Sequence, residues 1–309
     1  MDKLVEREAT ARKPLATAPA IAVQFFLIPL LVVGATVLVY VGFRSMLATE
    51  KSASEYLTDI RSGGSDRRWP AAYELSRLMA DPGFVKREQA TLGPELVKTF
   101  RDLKAEDSAG WCAYSSCPPV RRYLALAVGR LTPPLPADAV PALTDALADA
   151  DSETVINAIW ALGAVGDSSV VPQLEQKYAS EDAGVRKMAV YALGSLPGDA
   201  AAATLVKALD DVQPDVQWNA AVALARHGRH EGVPVLRRML DRDYLQRNVT
   251  RQQQSQDDID PVGEVMISGL QAIAALKEST LSEPVKAISQ DDRNLKVRQA
   301  ALETLKAVG

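Results

Sequence analysis

VRKMAVYALGSLPGDAAAATLVKALDD, residues 185–211, decides the fold. Apolar residues fall at Val185, Ala189, Ala192, Leu193 and Leu196, the three-and-four spacing of one helical face. Pro197-Gly198 stops that helix, and Asp199 can cap a second one. The second helix groups Ala202, Leu205, Val206 and Leu209 on one side. A hairpin of 27 residues cannot bury its own apolar face, so it needs copies of itself on both sides.

The chain supplies the copies. First-helix segments read RRWPAAYELSRL from Arg67, VRRYLALAVGRL from Val120, TVINAIWALGAV from Thr154 and VRKMAVYALGSL from Val185. They continue as VQWNAAVALARH from Val216, VMISGLQAIAAL from Val265 and VRQAALETLKAV from Val297. Successive starts lie 53, 34, 31, 31, 49 and 32 residues apart, a period a little over 30 with two insertions. Four and seven residues after the start, small side chains such as Ala158, Ala161, Ala189, Ala192, Ala220 and Ala223 let neighbouring layers approach. Leu162, Leu193, Leu224 and Leu305, eight after the start, are expected to form a continuous core. Second helices are expected within 94–104, 137–148, 169–178, 200–209, 233–241 and 283–288, with Pro94, Pro141, Pro172, Pro234 and Pro284 in or near first turns. The seventh first helix, near the C-terminal end, is expected to cap the stack. Arg121, Arg186 and Arg298 recur one after the start and are expected to pair with loop acids such as Asp151 and Asp182.

Composition agrees with an all-α protein. Alanine and leucine are abundant, aromatics are few, and β-branched residues do not form alternating runs. The net charge of −4 argues against a general nucleic-acid binder. There is no CxxC pair and no HExxH.

Ahead of the repeats, residues 1–20 are polar and mixed in charge, a flexible tail by composition. Residues 21–43 carry no charge over 23 positions, long enough to cross the ~30 Å hydrocarbon core as a transmembrane helix. The length and the long charged flank favour a retained anchor over a cleaved signal peptide. The distribution of Lys and Arg leans toward a cytoplasmic N-terminus, with the repeat domain outside the cytoplasm. Residues 44–65 read as a juxtamembrane helix and linker, and 66–309 as the repeat solenoid, with insertions near 106–117 and 244–261.

The segments VRKMAVYALGSLPGD, INAIWALGAVGDSSVVPQL and VQWNAAVALARHGRHEGVPVLRRML resemble HEAT repeats. They look most like the short variety first noted in phycobilisome lyases. The resemblance covers roughly 66–309 and implies an α-solenoid of helical hairpins. It implies little about function, because fold alone carries none. Two enzymatic branches share the architecture. Deoxyhypusine hydroxylases bind two irons through several His-Glu pairs, whereas here only His230-Glu231 fits such a pair. Bilin lyases handle a pigment, and no bilin-contact motif matches this chain.

Several residues stand out as candidate sites. His227 and His230, with Glu231 adjacent, lie in a glycine-flanked turn without a third ligand nearby, so a solvated turn is expected and no metal or cofactor. Cys112 and Cys117 in the first insertion could close a disulfide in an oxidising compartment or remain free thiols. The second insertion, with QRNVTRQQQSQDDID at its centre, reads either as a binding loop or as a solvated one. Asp257, Asp258 and Asp260 lack the spacing of a calcium loop.

The sharpest candidate is a stripe. Two and six residues after the start stand Ile156 and Trp160, Lys187 and Tyr191, Trp218 and Val222, and Ile267 and Gln271, with Trp69 and Tyr73 close to the same phase. If exposed, they form a ridge for a protein partner; otherwise they pack within their own repeats. The expected function is a membrane-anchored interaction scaffold, an accessory subunit or assembly factor of a membrane complex. Its partner is expected to be a membrane-associated protein, with no nucleic acid, no small-molecule substrate and no catalytic residues. The alternatives are an enzyme of the lyase or metal-dependent hydroxylase type, and a structural subunit acting mainly through its span.

Overall fold

The computed structural model describes residues 28–47, 51–103, 119–249 and 260–308. The chain divides into two units, Met1–Ser52 and Ala53–Gly309. In the first unit, α1 spans Ile28–Leu47. Its uncharged part, residues 28–43, rises about 24 Å at ~1.5 Å per residue, short of a ~30 Å hydrocarbon core. Among the described residues no helix is long and apolar enough to cross a membrane. This corrects the expected single-pass span over 21–43 and, with it, the placement of the repeats outside the cytoplasm. Residues 21–27 lie outside the described residues, as does the tail at 1–20.

The second unit contains the remaining helices in chain order: α2 (Ala53–Ser62), α3 (Ser65–Leu78), α4 (Pro82–Asp102), α5 (Val120–Val128) and α6 (Ala139–Asp145). Then come α7 (Ser152–Val165), α8 (Val171–Tyr178), α9 (Ala183–Leu193), α10 (Ala202–Ala208) and α11 (Pro214–Arg226). The last are α12 (Val233–Met239), α13 (Arg242–Asn248), α14 (Pro261–Leu276), α15 (Ser282–Asp291) and α16 (Leu295–Val308). There is no strand among the described residues. Helices α3, α5, α7, α9, α11, α14 and α16 hold the seven repeated segments, and each packs on the next. Helices α4, α6, α8, α10, α12 and α15 return behind them. α2 covers the start of the stack, burying Leu57 and Ile60. Its Arg61 reaches α4, with Nη2 2.6 Å from Glu95 Oε2.

Local chemistry sets the helix starts. The side chain of Asp151 accepts from the Thr154 amide at the head of α7, and Asp182 accepts from Gly184 and Val185 at the head of α9. Asp81 does the same for α4 at Gly83 and Phe84, which is why α4 begins at Pro82, twelve residues before Pro94. Pro94 therefore sits inside the helix, where it removes one intrahelical donor without ending it. In the deciding stretch α9 ends at Leu193, and Gly198 turns the chain at φ 84°, a conformation side chains rarely adopt.

The small residues stack as a seam. A Cβ on Gly163 would lie 2.9 Å from the Ala192 Cβ, and one on Gly194 would collide with the Ala223 methyl. Gly129 stands in the same relation to Ala161. In each case a glycine nine after one start meets an alanine seven after the next. Leu162, Leu193 and Leu224 are fully buried, but Leu305 on the last helix is only partly so. The core is also not continuous. It forms two clusters that meet inside α11: Ala220, Ala223 and Leu224 belong to one, Trp218, Ala221 and Ala225 to the other.

The ion pairs follow a different rule from the expected one. Arg121 pairs with Asp149 (Nε to Oδ2, 2.7 Å), their side chains 9% and 4% exposed, and it also donates to the Phe100 and Leu103 carbonyls. Arg186 pairs with Asp211 at 2.9 Å rather than with Asp182, whose carboxylate caps its own helix. Asp151 is held by Arg122, not Arg121. Arg298 donates to the Asp292 carbonyl, and the Asp292 carboxylate is taken by Arg242 at 2.8 Å. Asp149, Asp211 and Asp292 each lie five residues before a start, so the pairs bind one layer to the loop that opens the next. The second insertion, expected to be a loop, begins as α13, with Leu245 buried and Arg242 also 2.9 Å from Asp260. Its residues 250–259, and the first insertion with Cys112 and Cys117, lie outside the described residues.

Candidate protein-interaction groove

Three first helices leave a groove of about 480 Å³ between them. α9 contributes Lys187 and Tyr191. α11 contributes Asp215, Trp218, Asn219, Val222, Ala223 and Arg226. α14 contributes Val265, Ser268, Gln271, Ala272 and Ala275, and Met239 of α12 reaches through from behind. The buried members, Trp218, Ala223, Met239 and Ala272, make an apolar floor. Exposed Tyr191, Arg226, Ser268, Gln271 and Ala275 make the rim. These residues share a face because helical periodicity places offsets two, three, six, seven and ten from each start on one side.

The electrostatics of the groove are simple. The Lys187 ammonium lies 3.2 Å from Asp215 across the rim between α9 and α11, and both side chains are half-buried. Arg226 has no ion pair or hydrogen bond among the described residues. Trp218 is 7% exposed, and its indole Nε1–H, buried, has no acceptor. A buried donor without a partner costs free energy.

Of the stripe read from the sequence, the structure brings Lys187, Tyr191, Trp218, Val222 and Gln271 into one site. The other members form separate patches. Tyr73 is exposed and meets Tyr123 edge-on, ring centroids 5.6 Å apart, while Trp69 is half-buried against the core. Trp160 lies under the Arg130 guanidinium, 4.7 Å from its ring centroid. Ile156 is half-buried. Trp218 is thus a floor, not part of a ridge. Sequence reasoning missed Asn219, Arg226, Ser268, Ala275 and Met239. The first four were reachable by carrying the phase to offsets three and ten; Met239 belongs to a second helix and had no such signal.

The histidines fall outside the groove. His227 Nε2 lies 3.2 Å from the Gly194 carbonyl, and His230 Nδ1 lies 2.8 Å from Glu278 Oε2. Hydrogen bonds from Thr280 and then from His230 hold the Glu278 carboxyl below its ordinary value. These contacts stitch the turns of neighbouring layers. Among the described residues no group of three His, Cys, Asp or Glu side chains is placed to hold a metal ion.

A family model for HEAT repeats matches residues 110–183 and 171–253. No curated protein matches the sequence. Among solved structures, the complex of CpcE and CpcF of phycocyanin lyase from Nostoc sp. PCC7120 is similar with a TM-score of 0.50 at 17% identity, covering 84% of this chain and 88% of that one. A designed armadillo repeat protein in complex with the peptide (KR)4 is 16% identical with a TM-score of 0.39, covering 84% of this chain and 100% of that one. Human deoxyhypusine hydroxylase in complex with glycerol is 17% identical with a TM-score of 0.29, covering 85% and 98%. The first of these likenesses shows the fold and nothing more. Residues 110–253 thus carry HEAT repeats, within an all-helical repeat array. Such arrays suit protein interaction, because stacked hairpins present an extended surface built from equivalent positions.

Proposed function

We propose that the chain is a non-enzymatic interaction scaffold and that a protein partner docks in the groove. One observation carries the reading: Lys187, Tyr191 and Trp218, from two adjacent layers, line one groove with an apolar floor and a polar rim. That is the anatomy of a docking surface, an apolar centre with aromatic anchors inside a polar border. The chemistry of the lining supports binding rather than proton transfer. Its charged side chains are Lys187, Asp215 and Arg226, and the first two neutralise each other.

The test is site-specific photo-crosslinking in the cells that make the protein. A benzoylphenylalanine replaces Tyr191 in one variant and the exposed Leu302 of α16 in another. A discrete protein adduct from position 191 that is missing from position 302 is the expected result. Adducts of equal pattern from both positions, or none from 191, would overturn the reading.

A further inference from the structure

Among the described residues, the groove rim holds a donor without an acceptor, the Arg226 guanidinium. With Lys187 balanced by Asp215, the lining keeps one uncompensated positive charge. Nothing in the lining offers a matching uncompensated negative charge. The lining also holds Val222, Ala223, Met239 and Ala272, which accept apolar groups and no charge.

We propose that the groove binds an extended acidic peptide segment of the partner, which gives a carboxylate to Arg226 and an apolar side chain to the floor. This rests on the docking role proposed for the groove above. The complementarity is of charge and of hydrogen-bonding sense: the guanidinium only donates, and a peptide with Asp or Glu supplies a charged acceptor. The shape supports an extended chain. Tyr191, Val222 and Gln271 occupy the same offset in three successive layers, and packed helices stand about 8–10 Å apart. An extended chain advancing ~3.3 Å per residue meets one layer for about every three residues. A segment of about eight residues therefore crosses the three layers, with one side chain in each.

The experiment is selection of a random eight-residue peptide library, displayed on its encoding mRNA, on the full chain, with Arg226→Glu as the counter-target. The expected pool is enriched in Asp and Glu and keeps at least one large apolar residue. Its members should bind R226E at least tenfold more weakly. A neutral or basic pool, a pool that binds R226E equally well, or no enrichment would overturn the proposal. Photo-crosslinking at position 191 separates the two failures. A discrete adduct there without acidic peptides leaves the docking role standing and removes only its chemistry; no adduct removes both.

Discussion

The junction between α9 and α11 and the junction between α11 and α14 are built from the same repeat and differ in two residues. At the first, Gly194 receives the Ala223 methyl and Arg186 crosses to Asp211. At the second, the equivalent positions are Ala225 in place of glycine and Gln217 in place of arginine. Gln217 turns back to the Asp211 carbonyl at 2.6 Å, and Arg242 of the inserted α13 takes over the pairing with Asp260 and Asp292. The core divides in α11, and the groove opens there. At the first junction a bare backbone receives the neighbour's methyl; at the second, where the groove opens, none does, although α14 and α16 pack together with Ala274 at the glycine position.

If the closing devices matter in this order, the largest effect comes from the buried ion pair. Asp149→Ala leaves the Arg121 guanidinium buried with only carbonyl acceptors. The expected loss is about 3–5 kcal/mol, the range for removing one partner of a buried pair. Urea unfolding of both proteins measures it. A loss below about 1 kcal/mol would mean that the pair behaves as a surface pair and that the arginine rule adds nothing to layer closure.

The steric device comes next. Gly194→Val places two methyl groups where even a Cβ collides with Ala223. Overpacking of this kind costs about 1–3 kcal/mol, and the backbone of α9 cannot move without dragging the seam. On the other side of the comparison, Ala275→Leu adds more volume at an exposed position on the groove rim and should change stability by less than about 0.5 kcal/mol. The contrast in unfolding midpoints is the measurement. Equal costs at the two sites would erase the distinction between closed and open junctions.

Much of this architecture was legible in the residues, and the losses have physical causes. The seven first helices follow from the recurrence of small and leucine positions, because burial imposes a period. The ion pairs were misassigned because loop acids do two jobs: Asp182 is taken by the amides of α9, so only the acid five before the next start is free to meet Arg186. The stripe gave Lys187, Tyr191, Trp218, Val222 and Gln271 of the groove, but not its depth. Depth comes from Met239, a second-helix residue that the first-helix period does not reach; the loss of glycine at 225 is readable from the phase of Gly129, Gly163 and Gly194. The uncharged run at 21–43 pointed to a span, but the described helix begins at Ile28, which leaves too short an apolar length.

The smallest expected effect compares the same junctions in acid. Burial works to raise the Asp211 carboxyl, but hydrogen bonds from the Arg186 guanidinium and the Gln213 amide prevail and hold it below its ordinary value. A carboxyl depressed in the folded state binds protons more readily when unfolded. Its stabilisation is therefore present above the unfolded value of about 3.9 and is lost as pH falls through the lower folded value. Asp211→Asn lowers stability at neutral pH but removes this titration. Between pH 6 and pH 3 the wild-type unfolding midpoint should fall further than that of D211N. The difference is small because burial works against the hydrogen bonds that hold the carboxyl down. Parallel pH profiles for the two proteins would show that the charge of Asp211 contributes nothing to closing the junction, leaving Gly194 and Ala223 to hold it alone.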